Sequence, residues 1–103
     1  MSEAQEPTRA EIDAMTGKVL VEIGATWCGH CQAARPAIER QLRNYSDVRH
    51  IKIEDGKGRP VGRSFGVKLW PTLVFMRDGE VLEKLVRPSD HEIAQAFEQF
   101  VKG

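Results

Sequence analysis

Cysteine is scarce in this 103-residue chain: there are two, both in one short run. A disulfide-stapled secreted domain of this length usually carries about four or more, so that class is excluded. A bond between these two would also close too short a loop to remove much unfolded-state entropy. Net charge is missing too. Fifteen basic and fifteen acidic side chains cancel, and nothing draws the chain to nucleic acid or to an acidic membrane surface. No stretch approaches the roughly 20 apolar residues that span a bilayer. The opening segment, Met1 to Ala14, is polar and acidic and lacks the apolar core of a signal peptide. The expected location is therefore the cytoplasm, although a cleaved signal followed by an added Met would look the same. There is no internal repeat and no low-complexity tract. Gln32 stands directly after the second cysteine, where haem attachment requires histidine.

What remains is one domain's length and an ordinary hydrophobic content of 41%, enough for a single core. Residues 1–7 read as a polar tail or weak edge strand, and residues 8–103 as the domain. Thr8 with Glu11 opens a short helix that ends at Thr16-Gly17. Lys18 to Ala25 is a β-branched run, apolar on both faces except at Glu22, as in a central strand covered on both sides. Gly29 to Tyr45 reads as a helix with Cys31, Ala34, Ile38, Leu42 and Tyr45 on one stripe and a kink at Pro36. Val48 to Glu54 alternates as a strand, and a short helix follows near Val61 to Phe65. Strands at Thr72 to Arg77 and Glu80 to Val86 flank Asp78-Gly79, a pair favoured in type I′ turns. Ser89 to Glu92 forms a capping box for a last helix burying Ile93, Ala96, Phe97, Phe100 and Val101. This order predicts an α/β sandwich with early parallel strands and a closing antiparallel hairpin.

The chemistry is concentrated in Trp27-Cys28-Gly29-His30-Cys31. Two thiols two residues apart at a strand-to-helix junction can close as an intramolecular disulfide and reopen by exchange. Cys28 at the helix N-terminus would be an exposed thiolate, stabilised by free backbone N–H groups and the helix dipole. Cys31, one turn in, would be the resolving thiol that attacks the mixed disulfide. His30 as imidazolium would favour the Cys28 thiolate and a more oxidising pair; the alternative is an exposed residue without effect. Trp27 would flank the site as an apolar platform or simply pack. Zinc could in principle take both cysteines and a histidine, but no second ligand pair stands at metal-site spacing, so no metal is expected. Gly56-Lys57-Gly58-Arg59 lacks the full phosphate-loop pattern and reads as a solvated turn.

Trp27-Cys28-Gly29-His30-Cys31 after VLVEI, then Pro36, Trp70-Pro71-Thr72 before a strand, and the Phe75-to-Val81 hairpin together resemble the thioredoxin family over roughly residues 9 to 102. The resemblance implies a three-layer α/β/α thioredoxin fold with a mixed sheet of four to five strands. It implies an enzyme that reduces or exchanges protein disulfides, needs no cofactor beyond the Cys28–Cys31 disulfide, and is recharged by a thioredoxin-reductase-like electron donor. Pro71 would be cis, and the backbone of Trp70 would pair with an extended substrate peptide, with Trp27 and Gly29 completing the binding surface. Glu22 falls where the family carries a buried acid beneath the resolving cysteine. Burial there should raise its pKa and let it exchange a proton with Cys31.

The chain departs from the family's usual pattern in several places. His30 replaces a proline, as in protein disulfide isomerases; Glu22 replaces an aspartate; His50 takes the place of a neighbouring lysine. Trp70 is bulkier than the usual aliphatic residue, and Arg87-Pro88 stands where a glycine-containing loop completes the groove. A cytosolic reductase and an oxidase or isomerase therefore compete: His30 favours the isomerase, and the polar N-terminus decides for the reductase. A non-enzymatic module that holds peptides in the Trp70–Pro71 groove with incidental thiols also remains open. No dimer interface is legible, and a monomer is expected.

Overall fold

The computed structural model describes residues 6–102. In chain order it contains α1 (Arg9–Asp13), β1 (Lys18–Gly24), α2 (Gly29–Asn44), β2 (Arg49–Glu54), α3 (Pro60–Ser64), β3 (Thr72–Arg77), β4 (Glu80–Val86) and α4 (Asp90–Lys102). The sheet order is β2-β1-β3-β4. β1 and β2 are parallel, while β3 runs antiparallel to both β1 and β4. Such a parallel pair needs a crossover, and α2 supplies it. Among the described residues the sheet has four strands. The weak edge strand considered for residues 1–7 falls largely outside them, and Glu6 and Pro7 are irregular.

Period-two alternation divides β1 between two cores. Leu20 faces Ala34, Ala37 and Ile38 of α2 and Ile93, Phe97 and Phe100 of α4, together with Leu73 and Phe75 of β3. Val19, Val21 and Ile23 face Ile12 of α1, Phe65 and Ile53 on the other side. Phe97 is fully buried, with its ring edge-on to Phe75 at 5.3 Å and stacked with Tyr45 at 6.1 Å. Helices thus cover both faces of the sheet, which explains why β1 is apolar throughout. Glu22 shares the face of Leu20 and is the one acid on this strand, only 6% exposed.

The local signals act as the residue types dictate. Thr8 and Glu11 form a reciprocal capping box, and Ser89 and Glu92 form another. Asp78 and Gly79 have φ of 51° and 84°, as a type I′ turn requires. A side chain on Gly79 would collide with the backbone carbonyl of Asp13. α2 continues helically on both sides of Pro36. Its buried stripe includes Ala37, whereas Leu42 and Tyr45 are only half-buried, as is Val101 of α4.

Candidate active site

β1 ends at Gly24, and the chain turns through Thr26 and Trp27 before entering α2. Three bonds anchor that turn: Cys28 N–H to Ala25 O at 3.1 Å, Gln32 Nε2 to Thr26 O at 2.9 Å, and Thr26 N–H to Glu54 Oε1 at 3.2 Å. Cys28 is the N-cap, with extended backbone angles, and its Sγ accepts the Cys31 N–H at 3.3 Å. A thiolate at this position satisfies one of the orphan donors of the helix and meets the positive end of its dipole. Both cysteines are free thiols.

The expectation of an exposed Cys28 is corrected: the residue is 7% exposed. The physical reason is its N-cap role, which folds Sγ back over the helix end, together with packing of Trp70 on the Ala25, Cys28 and Cys31 cluster. Trp27 takes the open position instead, at 71% exposure, and meets Trp70 edge to face at 5.3 Å. His30 is exposed. Gly24, which carried no sequence signal, proves necessary: a Cβ there would lie 2.5 Å from Cys31 Sγ and 3.9 Å from Pro71 Cα.

The two thiols differ in acidity. Burial alone would push the Cys28 thiol up, but hydrogen bonds from the Cys31 side chain and from the backbone of Cys31 and His30, with the Arg87 charge, bring it below its ordinary value. Burial pushes Cys31 up to about 11, reinforced by its hydrogen bond to Cys28 and by the charges of Cys28 and Glu22. At neutral pH the proton is therefore held on Cys31 and lost first from Cys28.

Glu22 Oε1 lies 2.7 Å from His50 Nε2, and the imidazole is the more exposed partner, at 25% against 7% for the carboxylate side chain. Glu22 and Cys31 line one cavity of about 400 Å³, with Arg35 and Lys52 also on its wall. Replacing His50 by alanine strands the acid. The expected loss of stability is about 2 kcal/mol, below the ~3–5 kcal/mol of a fully buried broken pair because the imidazole is partly solvated. Denaturant unfolding measures it, and the added change Glu22→Leu should recover part of the loss.

The Trp70–Pro71 peptide bond is cis. Trp70 Nε1 donates to Asp55 Oδ2 at 2.9 Å, a contact the sequence did not announce because the two residues are 15 positions apart and α3 lies between them. The Trp70 carbonyl accepts from Arg87 Nε at 2.8 Å, and Pro71 O accepts from the Arg87 backbone N–H at 2.9 Å. The structure thus brings Trp27, Cys28, Cys31, Trp70 and Pro71 together, with Glu22 beneath Cys31. His30 shares a cleft of about 130 Å³ with Pro71 and Arg87. Gly29 is the first residue of α2, with open space where a Cβ would stand. Among the described residues no three His, Cys, Asp or Glu side chains gather as metal ligands would, and no helix is long and apolar enough to cross a membrane.

A helix-capping thiol of lowered pKa backed by a second thiol of raised pKa defines a thiol–disulfide oxidoreductase, and the sheet that carries it is a thioredoxin fold. The thioredoxin family model matches residues 2–100, and the chain belongs to that family. It is 39% identical to a thioredoxin of Aspergillus fumigatus over 69% of this chain and 66% of that protein, just under two thirds of its length. It is 32% identical to a thioredoxin of Listeria monocytogenes over 88% of this chain and 90% of that one. Among solved structures it is similar to reduced thioredoxin 2 of Pseudomonas aeruginosa, with a TM-score of 0.86 and 51% identity over 96% of this chain and 93% of that one. As in the family generally, the dithiol is the redox group and no separate cofactor is needed.

Proposed function

We propose that the whole protein is a cytoplasmic protein-disulfide reductase, a monomer recharged by a thioredoxin-reductase-like donor. The observation that carries this reading is the hydrogen-bonded Cys28–Cys31 pair with its acidities split in opposite directions. Cys28 thiolate attacks one sulfur of a substrate disulfide, forming a mixed disulfide and expelling the other sulfur as thiolate. Cys31 gives up its proton and attacks Cys28 Sγ, forming the Cys28–Cys31 bond and expelling the second substrate thiolate. The substrate gains two electrons and leaves as two thiolates, which take up protons from the medium at their own pKa; the protein loses two electrons and the one proton of Cys31 and carries the disulfide.

Glu22 is the acceptor for the Cys31 proton, and His50 is a positioning residue that holds the carboxylate. Trp27, Gly29, Trp70 and Pro71 border the substrate groove. The presence of only the two cysteines of the motif supports the cytoplasmic reading. Cys28-Gly29-His30-Cys31 also has the isomerase-type pair between its cysteines, so the direction of electron flow is the point to test.

The experiment is the equilibrium potential of Cys28–Cys31 against a glutathione buffer. The expected value is near thioredoxin's, roughly −270 mV. A value near that of protein disulfide isomerase, roughly −180 mV, would overturn the reductase reading in favour of a disulfide donor or isomerase. The gap of about 90 mV corresponds to about 4 kcal/mol for a two-electron couple, well beyond the error of such a titration.

A further inference from the structure

Arg87 has φ of +49°, a backbone region that non-glycine residues adopt uncommonly and glycine adopts freely. The residue is exposed and follows the last residue of β4. Its backbone N–H is bonded to Pro71 O, and its Nε is bonded to Trp70 O. Two consecutive carbonyls beside the thiols are therefore taken by one residue. A guanidinium has five N–H donors in a planar fork. Among the described residues no hydrogen bond or ion pair engages its terminal amino groups, although Asp90 lies on the same cleft wall as Pro71 and His30.

We propose that Arg87 is a specificity-determining residue of the dithiol site. Its guanidinium receives a carboxylate adjacent to the substrate's disulfide, so that acidic disulfide peptides are exchanged in preference to basic ones. This rests on the reading of the Trp70–Pro71 segment as the substrate groove. An extended peptide that pairs with the Trp70 carbonyl brings its own N–H to the oxygen that accepts from Arg87 Nε, either displacing that donor or using the second lone pair. In both arrangements the terminal amino groups of a cation stand free at the edge of the groove. An acidic side chain on the peptide satisfies the fork with two parallel charge-assisted bonds; a lysine there meets like charge. Asp90 is the one acid on the cleft wall and works in the opposite sense, so the preference reports the balance of Arg87 over Asp90. The charge of Arg87 also favours the Cys28 thiolate, an effect common to every substrate.

The test uses the full chain, pre-reduced, in single turnover. The substrates are cyclic disulfide peptides that differ only in Glu, Gln or Lys beside the attacked cysteine. Each rate is divided by the rate of the same variant on hydroxyethyl disulfide, an uncharged reference that removes changes in Cys28 thiolate. For the unsubstituted protein we expect the order Glu, Gln, Lys, with roughly a tenfold span, the scale of a charge-assisted bond at a partly exposed site gained on one peptide and repelled on the other. The span should fall within about twofold in Arg87→Gln and in Arg87→Gly, whose backbone suits the positive φ, and should shrink in high salt as exposed charges are screened. Arg87→Lys should retain the order with a smaller span, since the charge persists without the fork. A flat profile in the unsubstituted protein, or the same span in Arg87→Gln and Arg87→Gly, would overturn the assignment while leaving the dithiol chemistry intact. Failure to reduce even hydroxyethyl disulfide would overturn the dithiol reading, and this proposal with it.

Discussion

Replacing Cys28 by serine is expected to reduce disulfide turnover to background, a loss of at least about a thousandfold, because no other thiol in the chain occupies an anion-stabilising position. Replacing Cys31 by serine should give a different phenotype. Cys28 can still attack, but nothing resolves the product, so one equivalent of mixed disulfide accumulates and turnover stops. Non-reducing electrophoresis with a small protein disulfide distinguishes the two: Cys31→Ser should shift in mass, and Cys28→Ser should not. The geometry dictates the asymmetry. Cys28 caps α2 and Cys31 lies behind it at 3% exposure. A covalent adduct on Cys28→Ser through Cys31 would reverse the assignment of nucleophile and resolving thiol. Unaltered processing of a partner in the doubly substituted protein would instead favour the peptide-holding module.

The second large effect is selective alkylation of the reduced protein at neutral pH. Cys28 titrates below 9.0 and Cys31 at about 11, so their thiolate fractions differ by at least about a hundredfold. The lower-pKa thiolate is intrinsically less nucleophilic, which cancels roughly tenfold of that advantage. Cys28 should still react with iodoacetamide at least about tenfold faster, before the deeper burial of Cys31 widens the gap. Peptide mass mapping after brief exposure reads the ratio, and equal labelling would contradict the split. The same shifts fix the alkaline behaviour of the reduced protein. The folded pKa of Cys31 is raised, so its contribution to stability is complete below 9.0 and is lost as pH rises through about 11. Cys28 has the opposite sign: its contribution is present above 9.0 and is lost as pH falls through its lowered folded value. Thermal unfolding between pH 8 and 11 should therefore show an alkaline loss in the unsubstituted reduced protein that Cys31→Ser lacks.

Much of this molecule is legible one segment at a time. The Thr8–Glu11 and Ser89–Glu92 boxes, the Asp78-Gly79 turn and the two cysteines bracketing the first turn of α2 depend on residues at most three apart. Local backbone and side-chain chemistry decides such features, and residue identity at fixed spacing is sufficient for it. The apolar run of β1 likewise announced a strand covered on both faces, with Glu22 as its exception. The burial of Cys28 is not legible from the same local view. A helix N-terminus is usually open, but here Trp70, far along the chain, closes over it.

Sequence alone determined the dithiol, its place at a strand-to-helix junction and the order of elements, because these follow from residue spacing, periodicity and short-range capping. Tertiary structure alone decided which remote groups act on that dithiol. It set His50 2.7 Å from Glu22 across parallel strands. It required glycine at position 24, where Cys31 Sγ and Pro71 converge. It also placed Arg87 on the carbonyl of Trp70. Each of these depends on strand register and helix packing, which bring together positions 7 to 47 residues apart, and no spacing rule along one chain segment encodes that convergence.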